Sequence, residues 1–246
     1  MEKIELKIWK TPSYSRKEAF RTLRTNIQFC GDDIKAIVFT SYGEDEGKST
    51  VVLNLARSVA ESGKKVLVID TDIRKSTMIR ELRPQTLSGL SIYGLSHYLS
   101  GQKKLDEVLC ETVQLENIHI IFSGPFVSNS AELLDNNYMD MLIKYAKSNY
   151  DLVLIDAAPL GMVIDAAVIA TRSDGAIIVI AQGNCTKRQV LGIKKQLISS
   201  RVRILGTVFN KVNTSKKGSS GYRYGQYYGQ YGDIVVRGKK NVHIEN

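Results

Sequence analysis

The chain alternates between short runs of consecutive apolar residues and longer stretches in which apolar residues recur at helical spacing. The apolar runs have the length of buried strands and cover residues 35–40, 65–70, 118–122, 152–156, 176–181 and 204–210. Helical spacing covers residues 15–29, 49–62, 131–148, 165–171 and 187–199, and short helices are expected near 95–99 and 105–109. Because strands and helices alternate and the strands are apolar throughout, we expect an α/β fold. The pattern predicts a doubly wound, mostly parallel sheet with helices on both faces.

The same pattern divides the chain into three parts. Residues 1–30 are interpreted as an extended lead-in followed by one helix, and residues 31–213 carry the alternating strands and helices. From Thr214 onward, glycine, tyrosine, glutamine, lysine and serine replace the apolar pattern. Since such a composition cannot bury a core, residues 214–246 are predicted to form a flexible tail.

Length, composition and charge favour one soluble α/β domain of 246 residues, 43% of them hydrophobic. No apolar stretch approaches the roughly 20 residues that cross a bilayer, and no signal peptide is recognisable, so a cytoplasmic protein is expected. Residues 211–246 contain seven basic and two acidic residues, which is +5 of the net charge of +9. Because the excess belongs mainly to the tail, we expect no nucleic-acid partner. Three widely spaced cysteines show no metal-binding pattern and are expected to stay reduced.

A nucleotide-binding loop is predicted between the strand at 35–40 and the helix at 49–62. Its residues are Gly43, Glu44, Asp45, Glu46, Gly47, Lys48, Ser49 and Thr50. Backbone N–H groups of such a loop bind phosphates together with the helix N-terminus. Lys48 is expected to reach the β- and γ-phosphates, and Ser49 to bind Mg²⁺. The three carboxylates of the loop are expected to point away from the phosphates, since like charges repel. An ordinary strand–helix turn is the alternative.

Three aspartates stand at the ends of two predicted strands, namely Asp70, Asp72 and Asp156. Strand carboxyl ends face the ligand crevice in a doubly wound sheet, so these side chains are expected to converge on the end of the nucleotide. An aspartate that closes an apolar strand is costly to bury unless a cation or metal accompanies it. A turn-starting aspartate is the alternative interpretation for any one of them.

With these motifs in place, the sequence resembles the bacterial tyrosine kinases of capsule and exopolysaccharide systems, relatives of the partition and cell-division-site ATPases. Residues 43–50 are similar to the family's Walker A element, 66–76 to its Walker A′ and 152–156 to its Walker B. Asp156, Pro159 and Asp165 are similar to the stretch that follows Walker B, and Asn210-Lys211 to a dipeptide that ends a late strand.

Two further features are similar to the kinases rather than to their ATPase relatives. Glu18, Arg21 and Arg24 match an element that serves ring assembly in the kinases, with a solvated charged face as the alternative. The second feature is a C-terminal cluster of tyrosines, namely Tyr222, Tyr224, Tyr227, Tyr228 and Tyr231. A sticky, self-associating segment is the alternative for this cluster.

The resemblance implies an ATP- and Mg²⁺-dependent kinase that phosphorylates its own tail tyrosines and regulates polysaccharide synthesis and export. Lys48 would stabilise the γ-phosphate, and Ser49 and Asp156, with Asp70 beside them, would hold Mg²⁺. Asp70 or Asp72 would orient or deprotonate the tyrosine, with Asp70 favoured, and Asn210 is a candidate adenine contact. The implied partners are a membrane-anchored adaptor, a tyrosine phosphatase and further copies in a ring at the inner face of the membrane.

The chain departs from the family at three positions. Asp45 stands where the family has glycine, and Ser76 and Ala158 stand where it has proline. The first departure affects the expected shape of the loop but leaves Lys48 and Ser49 in place. Two alternatives therefore stay open: a partition-type ATPase without kinase activity, and a nucleotide-binding regulatory module with little catalysis.

Overall fold

The structure, a computed structural model, describes residues 1–212. Its strands are β1 (Glu2–Leu6), β2 (Ala36–Thr40), β3 (Val66–Asp70), β4 (Pro84–Thr86), β5 (Cys110–Thr112), β6 (Ile118–Ile121), β7 (Leu152–Asp156), β8 (Gly175–Ala181) and β9 (Ile204–Asn210). Its helices are α1 (Tyr14–Gln28), α2 (Lys48–Ala60), α3 (Met78–Leu82), α4 (Leu95–Leu99), α5 (Leu105–Val108), α6 (Ser130–Leu134), α7 (Asn137–Asn149), α8 (Asp165–Ala170) and α9 (Lys187–Ser199). Within residues 1–212, no helix combines the length and the apolar character needed to cross a bilayer. The tail predicted at 214–246 lies outside the described residues.

The strands form one sheet in the order β4-β1-β5-β6-β3-β7-β2-β8-β9. From β6 to β9 all neighbouring strands are parallel. The antiparallel pairs, β1 with β4 and β5 with β6, lie toward the other edge. The prediction of a mostly parallel, doubly wound α/β sheet is therefore confirmed.

Side chains of the central strands alternate between two apolar layers, one on each face of the sheet. In β3, Leu67 and Ile69 pack into one layer, whereas Val66 and Val68 pack into the other, and all four are fully buried. This two-sided burial explains why the strand is apolar at every position. Because β2 and β3 both pair with β7 in parallel, the carboxyl ends of the three strands lie side by side at one edge of the sheet.

The stretch predicted as one helix over 131–148 forms two helices, so this prediction was wrong. Helix α6 ends at Leu134 and α7 begins at Asn137. The side chain of Asn136 accepts a hydrogen bond from the Met139 amide at 3.1 Å, which caps the start of α7. The break follows because an asparagine cap stabilises a new helix start rather than a helix interior.

Three short strands were not predicted. Strand β1 belongs to the predicted lead-in, yet it lies inside the sheet, where Ile4 pairs with Thr86 of β4 and Thr112 of β5. Ile4 is fully buried there. Strands β4 and β5 have only three residues each, too few for a period-2 pattern to be recognised. The division of the chain after residue 30 stays a prediction.

Candidate active site at the carboxyl edge of the sheet

A cavity of about 580 Å³ opens where the loop after β2 meets the carboxyl ends of β3 and β7. The predicted site residues that line it are Glu44, Asp45, Gly47, Lys48, Ser49, Thr50, Asp70, Asp72 and Asp156. Three other predicted nucleotide-binding residues do not line the cavity, namely Gly43 and Glu46 of the loop itself and Asn210, which contacts the loop from β9. The fold therefore brings the loop and the three aspartates together at one site.

The loop turns into helix α2 at Gly47, which has the left-handed backbone conformation with φ +83°. Glycine adopts this conformation without strain. A side chain at this position would also clash with Nδ2 of Asn210. Both constraints explain the glycine directly before Lys48. The first N–H groups of α2 have no partners within the helix and are therefore available to a ligand in the cavity.

Glu46 braces the loop from behind. Its buried carboxylate accepts hydrogen bonds from the amides of Gly43 at 2.8 Å and of Ala181 at 3.0 Å. The Glu46 carboxylate therefore points into the protein and away from the cavity, as predicted, whereas Glu44 and Asp45 line the cavity. Glu44 instead forms an ion pair with Lys75 at 2.6 Å. The Gly43 amide, predicted as a phosphate donor, is already used within the loop.

The end of β9 holds the same loop through its backbone carbonyl groups. Asn210 Nδ2 donates a hydrogen bond to the carbonyl oxygen of Glu46 at 2.9 Å. Lys211 Nζ donates to the carbonyl oxygen of Asp45. In this structure Asn210 therefore supports the loop, and its predicted contact with adenine stays a prediction.

Asp45 occupies a left-handed backbone conformation with φ +54°, which glycine, the residue expected there from the family resemblance, would adopt without strain. Aspartate is one of the few other residues that tolerate this conformation. We expect Asp45→Gly to bind ADP roughly 3- to 10-fold more tightly, because it removes a carboxylate from the cavity and keeps an allowed backbone. Titration with a fluorescent ADP analogue measures the dissociation constants.

The matched control is Asp45→Ala, which removes the same charge but places an ordinary side chain at a positive φ. We expect it to bind ADP more tightly as well, but to melt at a lower temperature, since the left-handed conformation costs about 1 kcal/mol for alanine. Unchanged or weaker ADP binding by Asp45→Gly would contradict the electrostatic explanation.

Lys48 is the first residue of α2 and is largely buried. Its ammonium group donates a hydrogen bond to Ser41 Oγ at 3.1 Å, at the floor of the loop. Within residues 1–212 it has no carboxylate within ion-pair distance. A positive charge in this position is therefore available to an anionic ligand in the cavity.

Asp70 and Asp156 face each other as register partners at the ends of β3 and β7. Both are almost completely buried, at 1% and 3% exposure. Burial raises the pKa of both carboxyls, and the neighbouring Asp156 charge raises the pKa of Asp70 further. Ser49 and Lys48 oppose the rise in the Asp156 pKa. Two buried like charges side by side are unfavourable unless a cation joins them.

The donor set fits a magnesium ion. Asp156 Oδ1 is buried and has no hydrogen-bond partner in the described residues, and the Ser49 hydroxyl interacts with the same carboxyl group. Oxygen ligands are the ones Mg²⁺ prefers, and it commonly takes only one or two carboxylates and completes its shell with phosphates and water. Residues 1–212 contain no group of three or more His, Cys, Asp or Glu side chains arranged for a metal.

The Asp70 carboxylate is oriented by two donors from the loop that follows β3. The Asp72 amide donates to it at 3.2 Å, and the Ser76 hydroxyl donates to its other oxygen. Ser76 stands where the family resemblance led us to expect proline, and its hydroxyl supplies a hydrogen bond that a proline side chain could not donate. Asp72 is only half-buried, and its Oδ1 accepts from the Lys75 amide at 3.0 Å.

Arg74 lines the cavity and is held by the buried Asp165 behind it, although the sequence assigned neither residue a role. The Arg74 guanidinium binds the buried Asp165 carboxylate at the start of α8, at 2.9 Å from Nε. The available signal was the arginine of the Asp-x-Asp-x-Arg stretch together with the isolated Asp165. Neither residue type reveals its partner 91 positions away.

The predicted assembly element lies on α1, which packs against α2. Glu18 forms an ion pair with Arg21 one turn later. Arg24 donates a hydrogen bond to the carbonyl oxygen of Ser58 at the end of α2, so it links the two helices. The role of the three residues in ring assembly stays a prediction, and the tyrosines 222–231 lie outside the described residues.

A parallel sheet that places Lys48 at a helix N-terminus beside two buried aspartates defines a P-loop nucleotide-binding protein. Residues 34–211 match the family described as "AAA domain". The tyrosine-protein kinase CpsD of Streptococcus agalactiae is 38% identical over 224 residues, covering 91% of this chain and 92% of that protein. The chain belongs to the family of bacterial tyrosine-protein kinases.

The fold of this chain is similar to solved structures of a tyrosine kinase domain and of a cell-division protein. The kinase domain of the Escherichia coli tyrosine kinase ETK is similar with a TM-score of 0.75 and 30% identity, over 85% of this chain and 80% of that domain. The septum site-determining protein MinD of Pyrococcus horikoshii, solved with Mg-ADP, is similar with a TM-score of 0.62 and 25% identity, over 79% of this chain and 77% of that one. The predicted resemblance to tyrosine kinases and to cell-division ATPases is confirmed.

Proposed function

We propose that this chain transfers the γ-phosphoryl group of ATP to tyrosine, and that the tyrosines of its own tail are acceptors in a neighbouring copy. The observation that supports this proposal most strongly is the buried Asp70–Asp156 pair beside Lys48. One Asp156 oxygen has no hydrogen-bond partner among the described residues. This arrangement requires a cation and an anionic ligand together, which Mg²⁺ and a nucleotide triphosphate provide.

The cavity supplies the groups for an in-line transfer. The tyrosine oxygen forms a bond to the γ-phosphorus while the bond from that phosphorus to the bridging oxygen breaks, and its electron pair leaves with ADP. The phenolic proton passes to Asp70, and Asp72 orients the hydroxyl group; a carboxylate helps because the unperturbed phenol pKa is near 10. Lys48 stabilises the charge that the transferring group carries.

Mg²⁺, when bound, neutralises phosphate charge. We assign its binding to Ser49 and Asp156, with Asp70 beside them, directly or through water. The N–H groups at the start of α2 hold the phosphates, and the Glu46 brace keeps the loop in place. Within the loop, the cavity is lined by Glu44, Asp45, Gly47, Lys48, Ser49 and Thr50.

For the wider role we propose regulation of capsular or exopolysaccharide synthesis and export. The support is the family together with the resemblance of residues 43–50, 66–76 and 152–156 to the kinases of those systems. We propose a membrane-anchored adaptor as activator, a tyrosine phosphatase as the opposing enzyme, and a ring of copies while the tail is unphosphorylated. Each phosphate adds about −1.5 to −2 charge, so five would change the tail from +5 to about −3 to −5 and weaken the ring.

The proposal is tested by mass spectrometry of the full chain after incubation with ATP and Mg²⁺, with and without the cytoplasmic segment of a candidate adaptor. We expect mass steps of about 80 Da, one per phosphate, and phosphopeptides that carry Tyr222, Tyr224, Tyr227, Tyr228 and Tyr231.

A variant in which these five tyrosines are replaced by phenylalanine is the matched control, since it keeps the aromatic rings and loses only the hydroxyl groups. We expect it to lose the mass steps but to bind ADP like the wild type. Release of inorganic phosphate without any phosphotyrosine would contradict the kinase and would instead support a partition-type ATPase.

A further inference from the structure

Arg74 occupies the cavity wall next to the proposed reacting groups. It lies two residues after Asp72 and lines the same cavity as Lys48 and Asp156. Its side chain is one-third exposed, so the guanidinium is reachable from the cavity. The mechanism described above does not use this cation.

The guanidinium is held in one orientation by a buried acceptor. Its Nε donates to Asp165 Oδ2 at 2.9 Å and its Nη2 donates to Oδ1 at 3.4 Å. Asp165 is 1% exposed and also accepts from Ser130 Oγ at 2.7 Å. Three elements therefore meet at one carboxylate: the loop after β3, the start of α6 and the start of α8.

This geometry uses only one edge of the guanidinium. Arginine carries five N–H donors in a rigid plane. In the described residues, Arg74 hydrogen-bonds to Asp165 alone, which leaves Nη1 and the second hydrogen of Nη2 unused. A paired, oriented arginine with free donors at the mouth of an anion-binding cavity is arranged to receive phosphate oxygens.

We propose that Arg74 is a further catalytic residue, whose free N–H groups bind the phosphoryl group while it moves from ATP to the tyrosine oxygen. Asp165 and Ser130 are positioning residues, because they act only through the orientation of the guanidinium. Lys48 then contacts the transferring group from α2, and Arg74 contacts it from the loop that carries Asp72. This inference rests on the proposed kinase function.

The first test is Arg74→Lys in the full chain. Lysine retains one positive charge for Asp165 but has no second set of planar donors. We expect the rate of tyrosine phosphorylation at saturating ATP to fall about 100-fold. The dissociation constant for ADP should stay within about twofold of wild type, and the melting temperature within a few degrees. Arg172→Lys is the matched control.

Arg172 also pairs with carboxylates, Asp135 at 2.5 Å and Asp140 at 2.7 Å, but it follows α8 near the start of β8, away from the cavity. We expect Arg172→Lys to phosphorylate at the wild-type rate. A wild-type rate for Arg74→Lys would overturn the proposal. So would an activity loss that is matched by an equal loss of ADP affinity or by a fall in melting temperature, because Arg74 would then be structural.

Chemical rescue separates a catalytic from a structural role. We expect millimolar guanidinium to restore part of the activity of Arg74→Ala but none of the activity of Lys48→Met. Asp165→Asn is expected to lower the rate and to keep ADP binding, since the arginine remains but loses its orientation. If the wild type itself forms no phosphotyrosine, the proposed function fails. If the wild type forms phosphotyrosine, Arg74→Lys is active and guanidinium does not rescue Arg74→Ala, only this inference fails.

Discussion

Replacing Lys48 with methionine is expected to lower tyrosine phosphorylation roughly 100- to 1000-fold, the effect of removing one preorganised charge from a transition state. The physical reason is position: Lys48 is buried at the start of α2, with Ser41 at 3.1 Å and no carboxylate partner in residues 1–212. Methionine has a similar length and fills the same space. The fold should therefore survive while the cavity loses its cation.

The measurement is quantitative mass spectrometry of tail phosphopeptides over time, with circular dichroism to confirm the fold. Lys64→Met is the matched control, since Lys64 is exposed beyond the other end of the same helix. It should phosphorylate like the wild type. Retained activity in Lys48→Met would refute the assignment of this loop as the phosphate site.

Replacing Asp156 with asparagine is expected to have opposite effects on stability and on function. Burial raises the pKa of Asp156 to about 7, so at pH 8 the folded protein holds an ionised carboxylate that is more favourable in the unfolded chain. The penalty grows as pH rises above the ordinary carboxyl range and is complete above the raised pKa. Asparagine removes it and also relieves repulsion with Asp70.

We therefore expect Asp156→Asn to melt at least about 3 °C above wild type at pH 8 in the presence of a chelator. The same change should abolish the Mg²⁺-dependent gain in ADP affinity and stop phosphorylation, because the cation loses its ligand. Asp106→Asn, at an exposed carboxylate, is the control and should change neither quantity. A lower melting temperature for Asp156→Asn would contradict the explanation from buried charge.

Much of the fold was predictable because buried parallel strands are apolar at every position. The predicted bounds of β7, α9 and β9 coincide with the structure. Helix breaks and edge strands were less accessible, since Asn136 marks a new helix only through its hydrogen bond to the Met139 amide. Strand β1 is recognisable only when its partners β4 and β5 are known.

The site shows the same division between local and distant information. Lys48, Asp70 and Asp156 could be placed together because each ends or begins a recognisable element. The support of the loop could not be predicted: Glu46 binds the amide of Ala181, and Asn210 binds the carbonyl of Glu46, and both contacts join residues more than 130 positions apart. A spacing motif contains no information on such contacts.

Lys211 binds the loop of the candidate active site, and the tyrosines proposed as acceptors follow it in the chain. Tyr222 follows Lys211 by eleven positions, which span at most about 40 Å even when fully extended. Tethering over such lengths produces effective concentrations in the millimolar range. In the proposed ring of copies, the tether would set the concentration at which each active site meets the tail tyrosines of its neighbour. The rate per molecule would then be insensitive to how much protein the cell contains.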